Sequence, residues 1–302
     1  MRVLIIRAGA LGDTLMLMPA ITNLRAKATI TLAGRYPGID YLSPYVYQCV
    51  DIESMGWHRL FIKGSKVSPQ LFPAPDHVVA FLSDPEGKIM ENLKAWLPAA
   101  SIHIFPVFPP EEKNIHIALY MARSIEAAGL PIDAQRSFKD SFKSPLMAGQ
   151  DLLKSKDLFV LHPGSGSVDK NVPPSFWLSL ITCLKRRHPK KTKRIVLLLG
   201  PAEEDFHRFF KEVLDERDAE LIFCPEKEDL VKLLSKASLY IGHDSGITHL
   251  AAMMGAPVIA LFKKSSPGQW APLGPLVKII REDKGYRARS FCDEILKQLK
   301  IK

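Results

Sequence analysis

The chain has 302 residues, of which 47% are hydrophobic and 24% are charged, and its formal net charge is +9. This length and composition predict a globular protein of two domains and argue against long disordered regions. The four cysteines form no CxxC or Cys/His cluster, which argues against a structural zinc site or a disulfide framework, and no apolar run reaches the ~18 residues needed to cross a bilayer.

The first apolar run, Val3–Ile6, predicts a buried strand. Gly9, Gly12 and Asp13 then interrupt the apolar pattern, so we do not expect a signal peptide. Asp13 is expected near the start of a helix beyond the carboxyl end of the strand, where it either serves the chemistry or simply caps the helix. Pro19 predicts that this helix begins late or bends.

Short apolar runs alternate with helical patterns along the rest of the chain, which is typical of α/β proteins with parallel sheets. The further predicted strands are Ile30–Leu32, Val78–Phe81, Leu158–Leu161, Ile195–Leu199, Leu239–Ile241 and Val258–Phe262. The predicted helices include Ser175–Arg187, Glu203–Leu214, Lys227–Ser235 and, at the C-terminus, Ser290–Lys300.

The layout of the chain predicts a division near residue 150. Residues 131–157 are polar and broken by prolines and a glycine, and a new strand then starts at Leu158 and runs into a second glycine-rich turn. We therefore expect two Rossmann-like domains, residues 1–150 and 151–302, with parallel sheets that face each other across a substrate cleft. Ligands of such open sheets bind beyond the carboxyl ends of the strands.

The loop at residues 162–170 follows a predicted strand and contains small residues, Gly164, Ser165 and Gly166, followed by Lys170. Backbone N–H groups in such a loop suit phosphate oxygens, and the lysine adds a positive charge for a diphosphate. An ordinary turn with an exposed lysine is the alternative interpretation.

The segment Gly242–Pro257 is the most specific of the three loops. A strand ends before it, and a short helix is expected to start near Ser245 and to stop at Gly255. The helix start predicts an anion site, because its N–H groups and dipole attract negative charge. For His249 the alternative is a role in helix packing. The polar and small residues at this helix start are Asp244, Ser245, Gly246 and His249.

Four segments of the chain together resemble the lipopolysaccharide heptosyltransferases, glycosyltransferase family 9. They are RAGALGDTLMLMPAI at the N-terminus, HPGSGS followed by Lys170, GPAEE at 200–204, and GHDSGITHLAAMMGAPVIALF. The resemblance covers nearly the whole chain. It implies the GT-B fold of two Rossmann-like domains and an enzyme that transfers heptose from ADP-heptose to Kdo or a core heptose, inverting the anomeric centre.

The resemblance also implies roles for particular residues. Asp13 is the implied catalytic base, and Lys170 is implied to meet the donor phosphates and assist their departure. Glu204 matches the glutamate that holds the ribose, although Glu203 is close enough to be the true match. The residues expected to bind the donor are Gly164, Ser165, Gly166, Lys170, Glu204, Asp244, Ser245, Gly246 and His249, and those expected to shape the loop near the acceptor are Gly9 and Gly12.

Two departures from the family pattern bear on the nucleotide pocket. Lys170 is followed by Asn171, Val172 and Pro173, where family members often have Trp-Pro. Ser245 stands where threonine is common, and it keeps the hydroxyl group. No DxD-type metal motif is present, so we expect neither a metal site nor a cofactor beyond the nucleotide-sugar donor.

Basic residues of the N-terminal half predict an anionic partner. Given the resemblance, we expect a lipid-linked glycan acceptor and peripheral contact of a cytoplasmic protein with the inner membrane. The alternative is a solvated basic surface, and no nucleic-acid-binding signature accompanies the charge. The residues expected to bind the acceptor are Arg59, Lys63, Lys66 and Arg123.

Two other functions stay open at this point. A related transferase would use another nucleotide sugar, and a non-catalytic protein of the same fold would only bind one. A nucleotide-sugar 2-epimerase is disfavoured, because the N-terminal Gly-Asp motif is of the transferase type.

Overall fold

A computed structural model describes residues 1–65, 74–110, 114–147, 158–187 and 194–281. The chain divides into two compact units, Met1–Ser141 and Phe142–Lys302. The expected boundary near residue 150, Lys66 and the expected helix Ser290–Lys300 lie outside the described residues.

The first unit contains a parallel sheet of five strands. They are β1 Arg2–Arg7, β2 Thr29–Gly34, β3 Gln48–Asp51, β4 His77–Phe81 and β5 Ser101–Phe105. Their order across the sheet is β3-β2-β1-β4-β5, and Ile5 of the central strand pairs with Leu32 on one side and Val79 on the other. Successive strands are therefore added on one side of β1 up to β3 and on its other side from β4 onwards, so the strand order reverses between β1 and β4.

The described residues of this unit form six α-helices that connect and cover these strands. They are α1 Leu11–Leu15, α2 Met18–Leu24, α3 Gly38–Leu42, α4 Lys88–Trp96, α5 Ile117–Ala127 and α6 Ala134–Asp140. Pro19 is the second residue of α2, so the expected interruption of the first helix is confirmed as a division into α1 and α2. The stretch that looked broken from residue 131 onwards contains α6, which Asp133 caps by accepting the Arg136 N–H at 2.8 Å.

The second unit contains a parallel sheet of six strands. They are β6 Leu158–His162, β7 Arg194–Leu199, β8 Glu220–Phe223, β9 Leu239–His243, β10 Val258–Phe262 and β11 Val277–Arg281. Their order is β11-β10-β9-β6-β7-β8, which is the order of a dinucleotide-binding Rossmann sheet. The strand order of this sheet reverses between β6 and β9, because β7 and β8 lie on one side of β6 and β9 to β11 on the other.

The helices of the second unit confirm the predictions for its described residues to within a few positions. They are α7 Pro174–Arg187, α8 Glu204–Val213, α9 Lys227–Lys236, α10 Gly246–Met253 and α11 Pro267–Trp270. Gly255 follows α10 with a positive φ of 77°, a conformation that glycine adopts without strain. No helix in the described ranges is both long and apolar enough to cross a membrane.

Each unit has its own apolar core, formed mainly by the buried strands and the helices that cover them. Trp57 and Leu60 are completely buried in the first core, together with Leu4 and Ile6 of β1. Trp177 of α7 is completely buried in the second. These cores hold the loops at the carboxyl ends of the strands in place, and the residues of interest lie on those loops.

Candidate active site

The loops that the sequence singled out follow the strands at which the strand order of each sheet reverses. In the second unit, the loop of Lys170 follows β6 and the loop of Asp244 follows β9, and these two strands are neighbours. In the first unit, the loop of Asp13 follows β1, which borders the reversal between β1 and β4. Open parallel sheets bind ligands at such reversal points, because the adjacent loops turn away from each other and leave a crevice.

Asp244 is the centre of the polar contacts in the second unit. Its side chain is buried, Lys170 Nζ lies 3.0 Å from Oδ2, and His249 Nε2 lies 3.4 Å from Oδ1. Burial alone would raise the pKa of Asp244, but His249 and the charge of Lys170 outweigh burial and lower the pKa to about 2. Asp244 is therefore ionised at neutral pH.

Ser245 is the N-cap of α10, and the helix therefore starts where the sequence predicted, near Ser245. Its Oγ accepts the N–H of Thr248 at 3.4 Å, and the Thr248 hydroxyl also contacts the carbonyl oxygen of His243 and the hydroxyl of Tyr240. These contacts hold the strand end and the helix start together. Gly246 is the first residue of α10, where helical N–H groups have no carbonyl partner within the helix.

His249 is buried, which agrees with a packing role, but its ring also meets the carboxylate of Asp244. Among the described residues, no group accepts or donates a hydrogen bond at its Nδ1 atom. A buried ring nitrogen without a partner suits a ligand that supplies the missing hydrogen bond.

The loop after β6 is held together by its own small residues. The hydroxyl of Ser165 lies 2.7 Å from Asn171 Oδ1 and 2.8 Å from the carbonyl oxygen of Ser167. The N–H of Lys170 donates to Ser167 O at 3.0 Å and closes a short turn. Gly166 is exposed, and a Cβ atom there would meet no described atom within 4 Å. The loop thus presents Lys170 from a defined backbone.

His243, at the end of β9, fastens the residues that follow Lys170. Its Nε2 atom accepts the N–H of Val172 at 3.1 Å. Burial, together with the nearby His162 and Lys263, lowers the pKa of His243 to about 3, so the ring is neutral and can accept this bond.

Lys263 and Lys264 are two functional candidates that the sequence interpretation missed. They follow β10 directly: Lys263 Nζ donates to the carbonyl oxygen of Asn171 at 3.2 Å, and Lys264 Nζ lies 2.6 Å from Asp169 Oδ2. The signal that would have found them is their position just beyond a predicted buried strand. Lys263 adds positive charge beside the turn that carries Lys170, whereas the charge of Lys264 is paired with Asp169.

The two adjacent glutamates of the GPAEE segment point in different directions. Glu203 is buried, its Oε2 accepts the Gly200 N–H at 2.7 Å, and a Cβ atom at Gly164 would lie only 2.0–2.1 Å from its side chain. Glu204 is exposed and pairs with Arg208 at 3.1 Å on the surface of α8. The structure therefore brings Glu203, and not Glu204, against the loop after β6.

Asp13 lies at the third position of α1 in the first unit, and Ala10 occupies the N-cap position. Its Oδ2 atom accepts the Ala10 N–H at 3.1 Å, and its Oδ1 atom lies 3.3 Å from Nη2 of the buried Arg7. Arg7 in turn donates from Nη1 to Val107 O at 3.0 Å. Burial lowers the pKa of Arg7, and the charge of Asp13 opposes that shift. The carboxylate is thus oriented by one hydrogen bond, from the Ala10 N–H, and by the ion pair with Arg7, and it remains partly exposed.

The glycines of this loop have different local roles. A Cβ atom at Gly9 would lie 2.5 Å from the Cβ of Asp13, so only glycine lets the loop pass so close to the carboxylate-bearing residue. Gly12 is the second residue of α1.

The basic residues expected to bind an acceptor lie on separate elements. Arg59 and Lys63 belong to the segment that follows β3, and Lys63 is exposed. Arg123 lies on α5 and donates to Gln135 of α6 at 3.2 Å. A single cationic cluster of all four residues stays a prediction, because Lys66 is outside the described ranges.

Comparisons with known proteins agree with these features. The family model for glycosyltransferase family 9 (heptosyltransferase) matches residues 108–297, more than half of the chain. A curated relative, lipopolysaccharide heptosyltransferase 1 of Campylobacter coli, is 28% identical over 131 residues, which are 42% of this chain and 37% of that protein. The chain thus matches little more than a third of the relative's length.

Two solved structures share the fold over nearly their whole length. The E. coli heptosyltransferase WaaC with ADP is 17% identical, with a TM-score of 0.67 and coverage of 98% of this chain and 99% of that chain. The E. coli ADP-heptose lipopolysaccharide heptosyltransferase II is 15% identical, with a TM-score of 0.67 and coverage of 99% and 98%. The expected α/β fold class, GT-B, is confirmed. Since the family model spans most of the chain, this protein belongs to glycosyltransferase family 9, the heptosyltransferases.

Proposed function

We propose that this protein transfers a heptose from ADP-heptose to a sugar of the lipopolysaccharide inner core, with inversion at the anomeric carbon and without a metal ion. The observation that carries the proposal is the buried, ionised Asp244 between Lys170 and His249 at the start of α10. This arrangement combines a fixed carboxylate for sugar hydroxyls with positive charge for a diphosphate.

The second unit is proposed to bind the donor. Lys170 and the first N–H groups of α10 would stabilise the negative charge that builds on the diphosphate as the bond from C1 of the sugar to the phosphate oxygen breaks. Lys170 would exchange part of its contact with Asp244 for the phosphate. Glu203 is the better placed of the two glutamates for the nucleotide, because it lies against the loop after β6.

Asp13 of the first unit is proposed as the general base. It would take the proton of the acceptor hydroxyl while that oxygen forms the new bond to C1, and ADP would leave from the opposite face. Arg7 and the Ala10 N–H fix the orientation of the carboxylate. A base held in one orientation is effective because little reorganisation is needed in the transition state.

The acceptor is proposed to be an anionic, lipid-linked core glycan that meets Arg59 and Lys63, with Lys66 and Arg123 as further candidates. Guanidinium groups bind carboxylate and phosphate through paired hydrogen bonds. If charge dominates, the acceptor KM should rise with salt more steeply than the donor KM, since the Debye length falls from ~10 Å at 0.1 M to ~3 Å at 1 M.

A related transferase that uses another nucleotide sugar is the second candidate. It is favoured by the edge of the nucleotide pocket, where Asn171, Val172 and Pro173 replace the Trp-Pro of many family members and Lys263 binds the Asn171 carbonyl oxygen.

Nucleotide release with and without acceptor tests the proposal. ADP release from ADP-heptose that requires a Kdo- or heptose-terminated acceptor is the expected result. Acceptor-dependent release only from a different nucleotide sugar would replace the proposal with the second candidate. A protein that binds a nucleotide sugar tightly but never releases free nucleotide from it, with or without acceptor, would be a non-catalytic binding protein.

A further inference from the structure

The segment Glu53–Ser65 of the first unit presents apolar side chains to solvent. Met55, Phe61 and Ile62 are 93%, 50% and 54% exposed, and all three lie within eight consecutive residues. Single exposed apolar residues are ordinary on protein surfaces, but a group of large ones on one short segment indicates a surface that meets another apolar phase. We call this segment the apolar-basic segment.

The backbone of the apolar-basic segment is held by buried groups. Trp57 and Leu60 are completely buried in the core of the first unit. The amide nitrogen of Asn92, on α4, lies 2.8–3.3 Å from the carbonyl oxygens of Arg59, Leu60 and Ile62. The exposed side chains are therefore presented from a fixed backbone.

The charges of the segment are predominantly positive. Arg59 and Lys63 alternate with the exposed apolar residues, and Glu53 is the one acidic residue in the sequence from 53 to 65. Glu53 pairs with Arg35 at 2.9 Å, which neutralises it. Neither Arg59 nor Lys63 has an ion-pair partner among the residues that the structure describes. Exposed apolar side chains next to such cations match the headgroup region of an anionic bilayer, where apolar groups enter the acyl boundary and cations meet lipid phosphates.

We infer that the apolar-basic segment docks the first unit onto the surface of an anionic lipid bilayer, with Met55, Phe61 and Ile62 inserted and Arg59 and Lys63 at the lipid phosphates. This inference deepens the proposed function, since the proposed acceptor is anchored in such a membrane. Binding of a soluble glycan would account for the cations but not for the three exposed apolar side chains, so the observations favour the bilayer.

Sedimentation with lipid vesicles tests the inference, in the absence of donor and acceptor, so that its result does not depend on the proposed transfer. The wild-type protein should bind vesicles of phosphatidylcholine mixed with phosphatidylglycerol much more tightly than vesicles of phosphatidylcholine alone. The triple variant Met55→Ser, Phe61→Ser, Ile62→Ser should lose at least about tenfold in affinity. The pair Arg59→Gln, Lys63→Gln should also lose at least about tenfold, and added salt should mimic that loss.

A matched control replaces three exposed apolar residues elsewhere, Tyr47→Ser, Val213→Ser and Leu276→Ser, and should bind like the wild type. Circular dichroism and thermal unfolding check that each variant is folded, which is expected because the replaced side chains are exposed. Wild-type vesicle affinity in the apolar triple variant would overturn the inference. Equal binding of the wild-type protein to neutral and anionic vesicles would also overturn it. Variants that keep their affinity for vesicles and lose affinity only for a lipid-free, phosphorylated core glycan would identify a glycan site instead.

Discussion

The Nζ atom of Lys170 lies 3.0 Å from Oδ2 of Asp244, although 74 positions separate the two residues in the chain. The contact exists because β6 and β9 are neighbours in the sheet, so the loops that follow them meet. It places the partly exposed ammonium group of Lys170 next to the buried carboxylate of Asp244. An incoming diphosphate would compete with Asp244 for Lys170, and this competition can be tested by substitution.

Lys170→Ala should weaken ADP binding by about 10- to 100-fold, because a charge-assisted hydrogen bond contributes about 1.5–3 kcal/mol. It should also slow transfer, since the leaving diphosphate loses a positive charge. Isothermal titration with ADP measures the first effect. Lys185→Ala is the matched control, since Lys185 is also paired with an aspartate, Asp218 at 2.6 Å, on an exposed surface. Wild-type affinity in Lys170→Ala would remove this lysine from the donor site.

His249→Ala should also weaken ADP binding, by about tenfold or more, because it removes a partner of Asp244 and opens a hole beside a buried charge. Titration together with thermal unfolding separates a binding effect from general loss of stability. A variant that unfolds at a lower temperature but binds ADP like the wild type would show that His249 only packs the helix.

Asp13→Asn should reduce turnover by about 10²–10⁴-fold and leave ADP affinity unchanged. Asparagine keeps an oxygen that accepts the Ala10 N–H, so the helix start should survive while the base is lost. Asp133→Asn, at the start of α6, is a control that alters another helix-capping aspartate of the same unit. Near-normal turnover in Asp13→Asn would mean that Asp13 serves the helix alone.

Glu203→Gln and Glu204→Gln should behave differently. Glu203 is buried, and glutamine keeps an oxygen for the Gly200 N–H but buries an NH2 group beside Gly164, so its variant should lose about 1–3 kcal/mol of unfolding free energy and bind ADP more weakly. Glu204 is exposed, so its variant should change stability by less than about 0.5 kcal/mol and keep ADP affinity. Denaturant unfolding and ADP titration of the two variants make the comparison. The opposite ranking in ADP affinity would assign the ribose to Glu204.

The stability contributed by Asp244 should depend on pH below about 4. Its pKa is about 2 in the folded protein, and an aspartate in an unfolded chain has a pKa of about 3.9. Between these values the unfolded state binds more protons, so the contribution is complete above the unfolded pKa and is lost as the pH falls toward the folded pKa. The difference in unfolding free energy between wild type and Asp244→Asn should therefore shrink over this window. A constant difference would contradict the low pKa.

Turnover should survive chelation by EDTA, because Lys170 and the start of α10 supply the positive potential that the diphosphate needs. Activity should be measured before and after EDTA treatment, and again after magnesium is added. Loss on chelation that magnesium restores would overturn the proposed metal-free transfer.

The interior of both sheets was predictable from the sequence, and the edges were not. All seven expected strands are present, and each is flanked by neighbours on both sides. The four strands that were not predicted, β3, β5, β8 and β11, are the edge strands. A strand with neighbours on both sides is buried on both faces and reads as a continuous apolar run. An edge strand such as Glu220–Phe223 is partly exposed, and its apolar run is only three residues long after the charged Glu220.

The candidate site was predictable where residues lie on the loops that follow strands, because parallel strands bring those loops to one edge of the sheet. Asp244 and Lys170 were found in this way. The direction of Glu203 could not be read from the sequence, since the two glutamates are adjacent and only the packing against Gly164 distinguishes them. The role of His243 depends on a bond to Val172, 71 positions away, which no local pattern reveals.

Asn92 has a consequence for how this protein can evolve. One buried amide holds three carbonyl groups of the apolar-basic segment and accepts the N–H of Ser65 at 3.1 Å, so the shape of the segment does not depend on its outward side chains. Selection can therefore exchange Met55, Phe61 or Lys63 for other residues without remodelling the backbone. Relatives that keep the asparagine should share this framework while differing in what it displays, each adapted to the surface on which it works.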